Sequence, residues 1–116
     1  MLVVDDQAVF RGVASDVVRA TPGMTLAGAA ASGEEAIAAV EALSPRLVIM
    51  DKRMPGIGGI EAARVIRARH PDVVVVLMSV ELPAAEALEA SGAVEFLAKR
   101  KLSPRALAKL WATYGA

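Results

Sequence analysis

Short, continuous apolar runs alternate along this chain with segments whose apolar residues recur at helical spacing. Leu47–Met50 and Val73–Met78 are apolar at every position. This is typical of central parallel strands that are covered by helices on both faces. Strands that alternate with helices in this way indicate β-α-β units, so the pattern predicts an α/β fold.

Five strands and five helices are predicted in strict alternation. The strands are expected at Leu2–Val4, Met24–Ala30 (a weaker one), Leu47–Met50, Val73–Met78 and Val94–Ala98. Right-handed crossovers limit the topologies. The pattern favours a flavodoxin-like, doubly wound (βα)5 three-layer sandwich whose parallel five-stranded sheet has the order 2-1-3-4-5. We expect one domain over residues 1–116.

Helical spacing and end signals define the helices. The first ends before Pro22 and is expected to bury Val9, Phe10, Val13, Ala14 and Val17. The second begins at a capping box, Ser32-Gly-Glu-Glu35, ends near Ser44-Pro45 and is expected to bury Ile37, Val40 and Leu43. The third and fourth are Ile60–Arg69 and Leu82–Ala90. The last begins at Ser103 and Pro104 and carries one apolar side: Leu107, Leu110, Trp111 and Tyr114.

Carboxylates follow two of the predicted strands. Asp5 and Asp6 come directly after the first strand, and Asp51 closes the third. The order 2-1-3-4-5 places these strands side by side, and parallel strands end at the same edge of a sheet, so the three carboxylates should meet there. They would repel one another without a cation, and an all-oxygen ligand set favours Mg²⁺. The sequence predicts a metal and phosphoryl site at this edge.

The composition of the chain limits the cellular location and the partners that the sequence predicts. The chain has 116 residues, no cysteine and a formal net charge of zero. Its apolar runs are far shorter than the roughly 20 residues that cross a bilayer. We therefore expect a soluble, cytoplasmic protein that neither enters a membrane nor binds nucleic acid directly through this domain.

Over its whole length the chain resembles the receiver domain of two-component response regulators. The matching features stand at four predicted strand ends: Asp5-Asp6, Asp51 followed by Met54-Pro55-Gly56, Ser79, and Phe96-Leu-Ala-Lys99. The local sequences Asp6–Arg11 and Gly92–Lys99 are most similar to those of receivers in transcription factors that carry a carboxy-terminal helix-turn-helix.

The resemblance implies a role for each matched residue. Asp51 would accept a phosphoryl group from a phosphohistidine of a sensor histidine kinase or phosphotransfer protein. Asp6 and Asp51 would bind Mg²⁺ directly, with Asp5 acting partly through water and the backbone carbonyl of Arg53 completing the ligands. Lys99 would pair with the phosphoryl oxygens. The chain would thus be a phosphoacceptor with self-catalysed phosphorylation and dephosphorylation, and not an enzyme acting on other substrates.

Signal output is also implied by the resemblance. The Ser79 hydroxyl would hydrogen-bond the phosphoryl group, and Phe96 would respond by changing the surface of the fourth helix, fifth strand and fifth helix. That surface would control an output domain, a protein partner or a homodimer. The sequence leaves open whether the receiver stands alone or belongs to a longer regulator, and whether its start is native or trimmed.

Some positions depart from the family's pattern. Gly58 stands where an acidic or amide cap is frequent, so the third helix is expected to start more loosely. Val80 replaces a usually small residue, and we expect Val80, Arg53 and Glu81 to border the site and slow its reactions. His70 has no partner in sequence and is interpreted as a solvated histidine at a helix end.

Two other functions compete with the phosphorylated switch. One is a degenerate receiver that binds partners without phosphorylation. The other is a Mg²⁺-dependent phosphohydrolase with an aspartyl nucleophile. That class needs a second acid two residues after the nucleophile, and the residue there is Arg53.

Overall fold

The apolar runs form a five-stranded parallel sheet. The structure is a computed structural model and describes residues 1–80 and 90–115. The strands are β1 (Leu2–Val4), β2 (Gly28–Ala30), β3 (Leu47–Asp51), β4 (Val74–Ser79) and β5 (Glu95–Ala98). Their order is β2-β1-β3-β4-β5, with every pair parallel. The predicted fold and strand order are confirmed.

Helices cover both faces of this sheet. They are α1 (Ala8–Ala20), α2 (Gly33–Leu43), α3 (Gly58–Arg69) and α4 (Pro104–Tyr114), and a short 3-10 helix (Lys99–Lys101) follows β5. One buried cluster joins the sheet to α2 and α3, and a second joins it to α1 and α4. Helix α4 is the last helix predicted from sequence. The predicted helix Leu82–Ala90 lies, apart from Ala90, outside the described residues.

Strand β2 is shorter than the predicted strand Met24–Ala30. It pairs only with β1, in a register that sets Leu2 opposite Gly28. Before this pair, the Ala27 amide donates to the Met1 carbonyl over 2.8 Å. The chain before Ala27 instead forms a turn, in which the Met24 amide donates to the Thr21 carbonyl.

The buried face of α1 was predicted only in part. Val9 is 83% exposed and Val13 50% exposed, whereas Ala14 and Val18 are fully buried. The apolar arc of this helix is wider than the arc that the sheet covers, and the small side chain of Ala14 lies at its centre. Phe10 and Val17 pack at the edge of the contact as partly buried residues.

The buried face of α2 also differs from the prediction. Val40 is buried as expected, but Leu43 is 46% exposed and Ile37 is only partly buried. Gly33 and Ala36 are buried instead. A Cβ atom at Gly33 would lie 2.8 Å from Cγ1 of Ile57, so the close approach of the loop before α3 selects a small residue.

The helix-start signals are largely confirmed. The Ser32 hydroxyl accepts a hydrogen bond from the Glu35 amide over 3.1 Å, and the Glu35 carboxylate lies 3.4 Å from that hydroxyl and not on the Ser32 amide. The Ser103 hydroxyl accepts from the Ala106 amide over 3.0 Å, and Pro104 occupies the first turn of α4. Within the described residues, no helix is both long and apolar enough to span a bilayer.

Candidate functional site

Three carboxylates meet where β1 and β3 end. The register sets Val4 beside Met50, so Asp5 and Asp51 leave adjacent strands at the same level. One carboxylate oxygen from each of Asp5, Asp6 and Asp51 can be chosen so that all three lie within 4.8 Å of one another. We call this set the acidic cluster. Its members come together as the strand order requires.

The members of the acidic cluster differ in burial. Asp5 is completely buried, Asp51 is 6% exposed, and Asp6 is exposed. The backbone amide of Gln7 donates to Oδ1 of Asp5 over 2.9 Å. The amide of Arg53 makes a longer contact with Oδ1 of Asp51, at 3.4 Å. The cluster thus has two buried carboxylates held by backbone groups and one that faces the solvent.

Lys99 brings a positive charge to the buried carboxylates. It follows β5 in the short 3-10 helix, and its side chain is only 14% exposed. Its Nζ atom lies 2.7 Å from Oδ2 of Asp5 and 3.4 Å from Oδ2 of Asp51. Lys99 therefore bridges the ends of β1 and β3 from the far side of β4.

Burial and ion pairing change the pKa values of Asp51 and Lys99 in opposite directions. Burial raises the pKa of Asp51 above its usual value, and the negative charge of Asp5 raises it further, while Lys99 acts in the opposite direction. For Lys99, burial lowers the pKa, but the hydrogen bond to Asp5 and the charges of Asp51 and Asp5 outweigh it, so its pKa is raised overall. A single lysine does not fully compensate two buried carboxylates.

Ser79 ends β4 beside this cluster. The register pairs Met78 with Asp51, so Ser79 lies one residue beyond the level of Asp51. An open cleft of about 670 Å³ joins the site to solvent. It is lined by charged, polar and apolar residues: Asp6, Gln7, Phe10, Asp51, Lys52, Arg53, Ser79, Val80, Lys99 and Arg100.

A glycine turn presses α3 against the end of β3. Gly58 has φ +74, a backbone conformation that glycine adopts without strain. A Cβ atom at Gly59 would lie 2.1 Å from the Asp51 carbonyl oxygen. No side chain caps α3, but the Gly59 amide donates to the Lys52 carbonyl over 3.0 Å. The start of α3 lacks a side-chain cap, as expected, and has this backbone hydrogen bond instead; the looser start stays a prediction.

The remaining predicted residues lie at the rim of the site or away from it. Arg53 is exposed, and Val80 is 80% exposed at the cleft. Glu81 lies outside the described residues. Phe96 is opposite Leu77 in the β4–β5 register and packs against the α2–α3 side of the core, so it does not line the cleft. The roles predicted for these residues stay predictions.

Two neighbours of the cluster were not predicted as site residues. The Nη1 atom of Arg11 donates to the Asp5 carbonyl over 2.7 Å. The ring of Phe10 lies under Lys99, with Nζ 4.5 Å from the ring centroid. Both residues belong to the first turns of α1, shortly after Asp5 and Asp6. This closeness in sequence to the acidic pair could have identified them as neighbours of the site.

His70 lies at the end of α3 and away from the site. Its Nε2 atom is 3.0 Å from Oε1 of Glu41 on α2, and its side chain is 30% exposed. Its predicted place at a helix end is confirmed, and the ring is partly exposed, but the expectation that it has no partner is wrong. The partner was missed because it is distant in sequence.

Comparison with known proteins agrees with this geometry. The family described as response regulator receiver domain matches residues 1–111. The response regulator GacA of Pseudomonas protegens is 40% identical over 101 residues, which is 85% of this chain and 47% of that protein. A Thermotoga maritima protein-glutamate methylesterase/protein-glutamine glutaminase is 36% identical over 122 residues, covering 95% of this chain and 36% of that protein. The chain spans about half the length of such relatives, or less.

Solved structures give the same result. The response regulator domain of Thermotoga maritima CheB is 34% identical and superposes with a TM-score of 0.85 over 99% of this chain and 95% of that one. A LuxR-family two-component response regulator from Aurantimonas sp. SI85-9A1 is 29% identical, with a TM-score of 0.85 over 98% of this chain and 83% of that one. With the acidic cluster and the strand order, these matches show that the chain belongs to the response regulator receiver domain family of two-component systems.

Proposed function

We propose that this receiver is an active switch in which Asp51 accepts a phosphoryl group with the help of Mg²⁺. The observation that carries the proposal is the meeting of three carboxylates within 4.8 Å, with Lys99 Nζ 3.4 Å from Asp51. A nucleophile, a cation site and a fixed positive charge are the parts that phosphoryl transfer requires.

The chemistry of the acidic cluster fits Mg²⁺. All three donors are carboxylate oxygens, which this ion prefers, and the exposed Asp6 leaves room for the waters that it retains. Burial and the charge of Asp5 raise the pKa of Asp51, so a divalent cation would relieve an existing excess of negative charge. Asp6, Asp51 and the Arg53 carbonyl would hold the ion, with Asp5 acting partly through water. When bound, Mg²⁺ would neutralise the charge on the phosphoryl oxygens.

In the proposed transfer, a carboxylate oxygen of Asp51 attacks the phosphorus of a phosphohistidine on a sensor kinase or phosphotransfer protein. A P–O bond forms, the P–N bond breaks, and its electron pair stays on the imidazole nitrogen. Lys99 stabilises the phosphoryl oxygens as a point charge. Water later attacks phosphorus, which releases inorganic phosphate and regenerates the Asp51 carboxylate. The chain modifies itself, so we do not class it as an enzyme.

Output is proposed to run through Ser79 and Phe96. Ser79 is opposite Ala98 in the register of β4 and β5, and Phe96 is opposite Leu77 two positions earlier. A shift of Ser79 toward the phosphoryl group would therefore move the strand that lies against Phe96. The change would alter the surface of β5, α4 and the predicted fourth helix. Beryllium fluoride should shift the NMR resonances of β5 and α4, and unchanged resonances there would favour the degenerate receiver.

Val80 is proposed to limit access to the cleft. Its branched side chain is 80% exposed at the rim, next to the buried Ser79. Val80→Ala should accelerate phosphorylation by a small donor such as acetyl phosphate, because it opens the path to Asp51. Arg53 and Glu81 are proposed to slow hydrolysis, and the double variant with alanine at both should lose its phosphoryl group faster. If neither the phosphorylation rate nor the hydrolysis rate changed in these variants, other residues would determine the lifetime of the phosphoryl group.

Partners and output follow from the relatives only as proposals. One similar protein is named a LuxR-family response regulator and another a methylesterase. A cytoplasmic transcription regulator is proposed from the resemblance of Asp6–Arg11 and Gly92–Lys99 to receivers of transcription factors. The output domain, a protein partner or a homodimer would read the switched surface. The chain gives no support to a phosphohydrolase, because Arg53 occupies the position of its second acid.

Phosphorylation itself is the test of the proposal. Incubation with acetyl phosphate and Mg²⁺ should increase the intact mass by one phosphoryl group, and EDTA should prevent it. The matched control is Asp72→Asn, an exposed acid on the turn before β4, which should be labelled like the wild type. No labelling of the folded wild type, by acetyl phosphate or by a kinase, would leave the degenerate receiver as the better reading.

A further inference from the structure

The ring of Phe10 forms the third side of the pocket that holds the Lys99 ammonium group. The ring centroid lies 4.5 Å from Nζ, within the range of about 6 Å for a cation–π interaction. The other two sides are the carboxylates of Asp5 and Asp51, at 2.7 and 3.4 Å. The lysine side chain is 14% exposed, so this contact is made where water is largely excluded.

These three contacts differ in what phosphorylation would do to them. Asp51 would become an acyl phosphate, and Asp5 and Asp51 would share their charge with a metal ion. The attraction of both carboxylates for Lys99 therefore changes during the proposed cycle. The face of an aromatic ring keeps its partial negative charge throughout, since it takes part in neither event. Of these three contacts, only the one with Phe10 stays the same.

We propose that Phe10 is a positioning residue for Lys99, and this inference rests on the proposed function. Its ring keeps the long, flexible lysine side chain directed into the site, where it can meet the phosphoryl oxygens on Asp51. Without the ring, the ammonium group would spend more time in solvent, to which the cleft gives access. The Lys99 ammonium group would thus be oriented before the reaction begins. This lowers the free-energy cost of stabilising the transition state.

A packing role for Phe10 makes different predictions from a positioning role. The residue is partly buried and also touches the α1–α4 side of the core. Phe10→Leu keeps an apolar side chain and removes the ring, whereas Phe10→Tyr keeps the ring. If the ring positions Lys99, phosphorylation by acetyl phosphate at saturating Mg²⁺ should slow by about twofold to thirtyfold in Phe10→Leu and stay near the wild-type rate in Phe10→Tyr.

The dependence on Lys99 separates the two roles further. In a Lys99→Gln background the site is already slow, and Phe10→Leu should slow it no more, because no ammonium group is left to position. Equal slowing by Phe10→Leu in both backgrounds would assign the effect to packing and would overturn the inference. An unchanged rate for Phe10→Leu in the wild-type background would overturn it as well.

A spectroscopic measurement tests the contact without any reaction. In the unphosphorylated protein, the ring current of Phe10 should move the ε-methylene protons of Lys99 upfield, and Phe10→Leu should return them to their ordinary position. Ordinary shifts in the wild type would overturn the inference. Failure to label wild-type Asp51 would instead count against the proposed function, so the two failures can be told apart.

Discussion

The two edges of the sheet hold their charges in opposite ways. At the edge where the strands end, Asp5 and Asp51 are buried, and Lys99 reaches both of them. Removing charges from water costs free energy that ion pairing repays only in part. Burial raises the pKa of Asp51, and the negative charge of Asp5 raises it further, so one lysine does not fully compensate two buried carboxylates.

At the edge where the strands begin, the charged groups keep contact with water. Glu41 is 52% exposed and lies 3.0 Å from His70 and 4.0 Å from Arg69. Arg46 lies over the ring of Trp111 at 5.3 Å. The contacts of Glu41 are partly solvated, and its carboxylate has positively charged or neutral neighbours. The comparison shows that the edge with the acidic cluster, where we propose phosphorylation, buries its carboxylates with incomplete compensation, whereas the opposite edge keeps its charged pairs in contact with water.

The largest effect on stability is expected from adding a side-chain atom where α3 meets the end of β3, beside the acidic cluster. Gly59→Ala would place a Cβ atom 2.1 Å from the Asp51 carbonyl oxygen and 2.9 Å from Cα of Lys52, and both obstacles are backbone. We expect a loss of about 3 kcal/mol in the free energy of unfolding, the upper end for overpacking. Urea denaturation measures it.

A matched glycine controls for the substitution. A Cβ atom at Gly12, in α1, would meet no atom within 4 Å. Gly12→Ala should stabilise the protein by up to about 1 kcal/mol, since alanine favours a helix interior. Equal stability of the two variants would show that α3 does not press on the end of β3.

The next-largest effect is expected on the affinity for Mg²⁺. Asp6→Asn removes one ligand and one charge from the acidic cluster, and we expect Mg²⁺ to bind at least about tenfold more weakly by calorimetry, the scale seen for smaller changes around metal sites. Asp16→Asn makes the same chemical change at a carboxylate on α1 that is 81% exposed. It should bind Mg²⁺ like the wild type. Equal affinities in both variants would remove the acidic cluster as the metal site.

The uncompensated charge of Asp51 predicts a pH dependence. Because the folded protein raises the pKa of Asp51, the folded state holds this proton more tightly than the unfolded chain. Stability should therefore fall as pH rises through the unfolded and then the folded pKa. In EDTA, Asp51→Asn should be more stable than the wild type at neutral pH, and this advantage should shrink at acidic pH. Urea midpoints across pH measure it, and a wild type that is more stable at neutral pH would contradict the account.

The smallest effect is expected at the edge where the strands begin. Glu41→Gln weakens the contacts to His70 and Arg69, which are partly exposed and worth at most about 1 kcal/mol together. The rate of phosphorylation by acetyl phosphate should not change. A changed rate would show that the two edges are coupled and that the comparison between them is too simple.

The sequence predicted most of the sheet because its central strands are apolar on both faces. Leu47–Met50 cannot be a solvent-facing strand or a loop, and its neighbours follow from chain order and handedness. The acidic cluster was predictable for the same reason, since parallel strands deliver Asp5 and Asp51 to one edge.

Side-chain choices within the helices were less predictable. The apolar residues of α1 cover a wider arc than the sheet can bury, so the spacing of Val9 and Val13 did not show that they face solvent. The contact of Phe10 with Lys99 has no spacing signature, because the two residues are distant in sequence and meet only through the fold. Close approach also favours small residues, as Gly33 shows, and hydrophobic spacing does not register them.

The central claim is that Asp51 is the phosphorylated residue. Borohydride reduction of the protein after incubation with acetyl phosphate and Mg²⁺ converts an aspartyl phosphate to homoserine, which peptide mass spectrometry locates. The account predicts homoserine at position 51 and none in the Asp51→Asn variant. Homoserine at another aspartate, or a stable phosphate on Ser79 or His70 with position 51 unchanged, would contradict it.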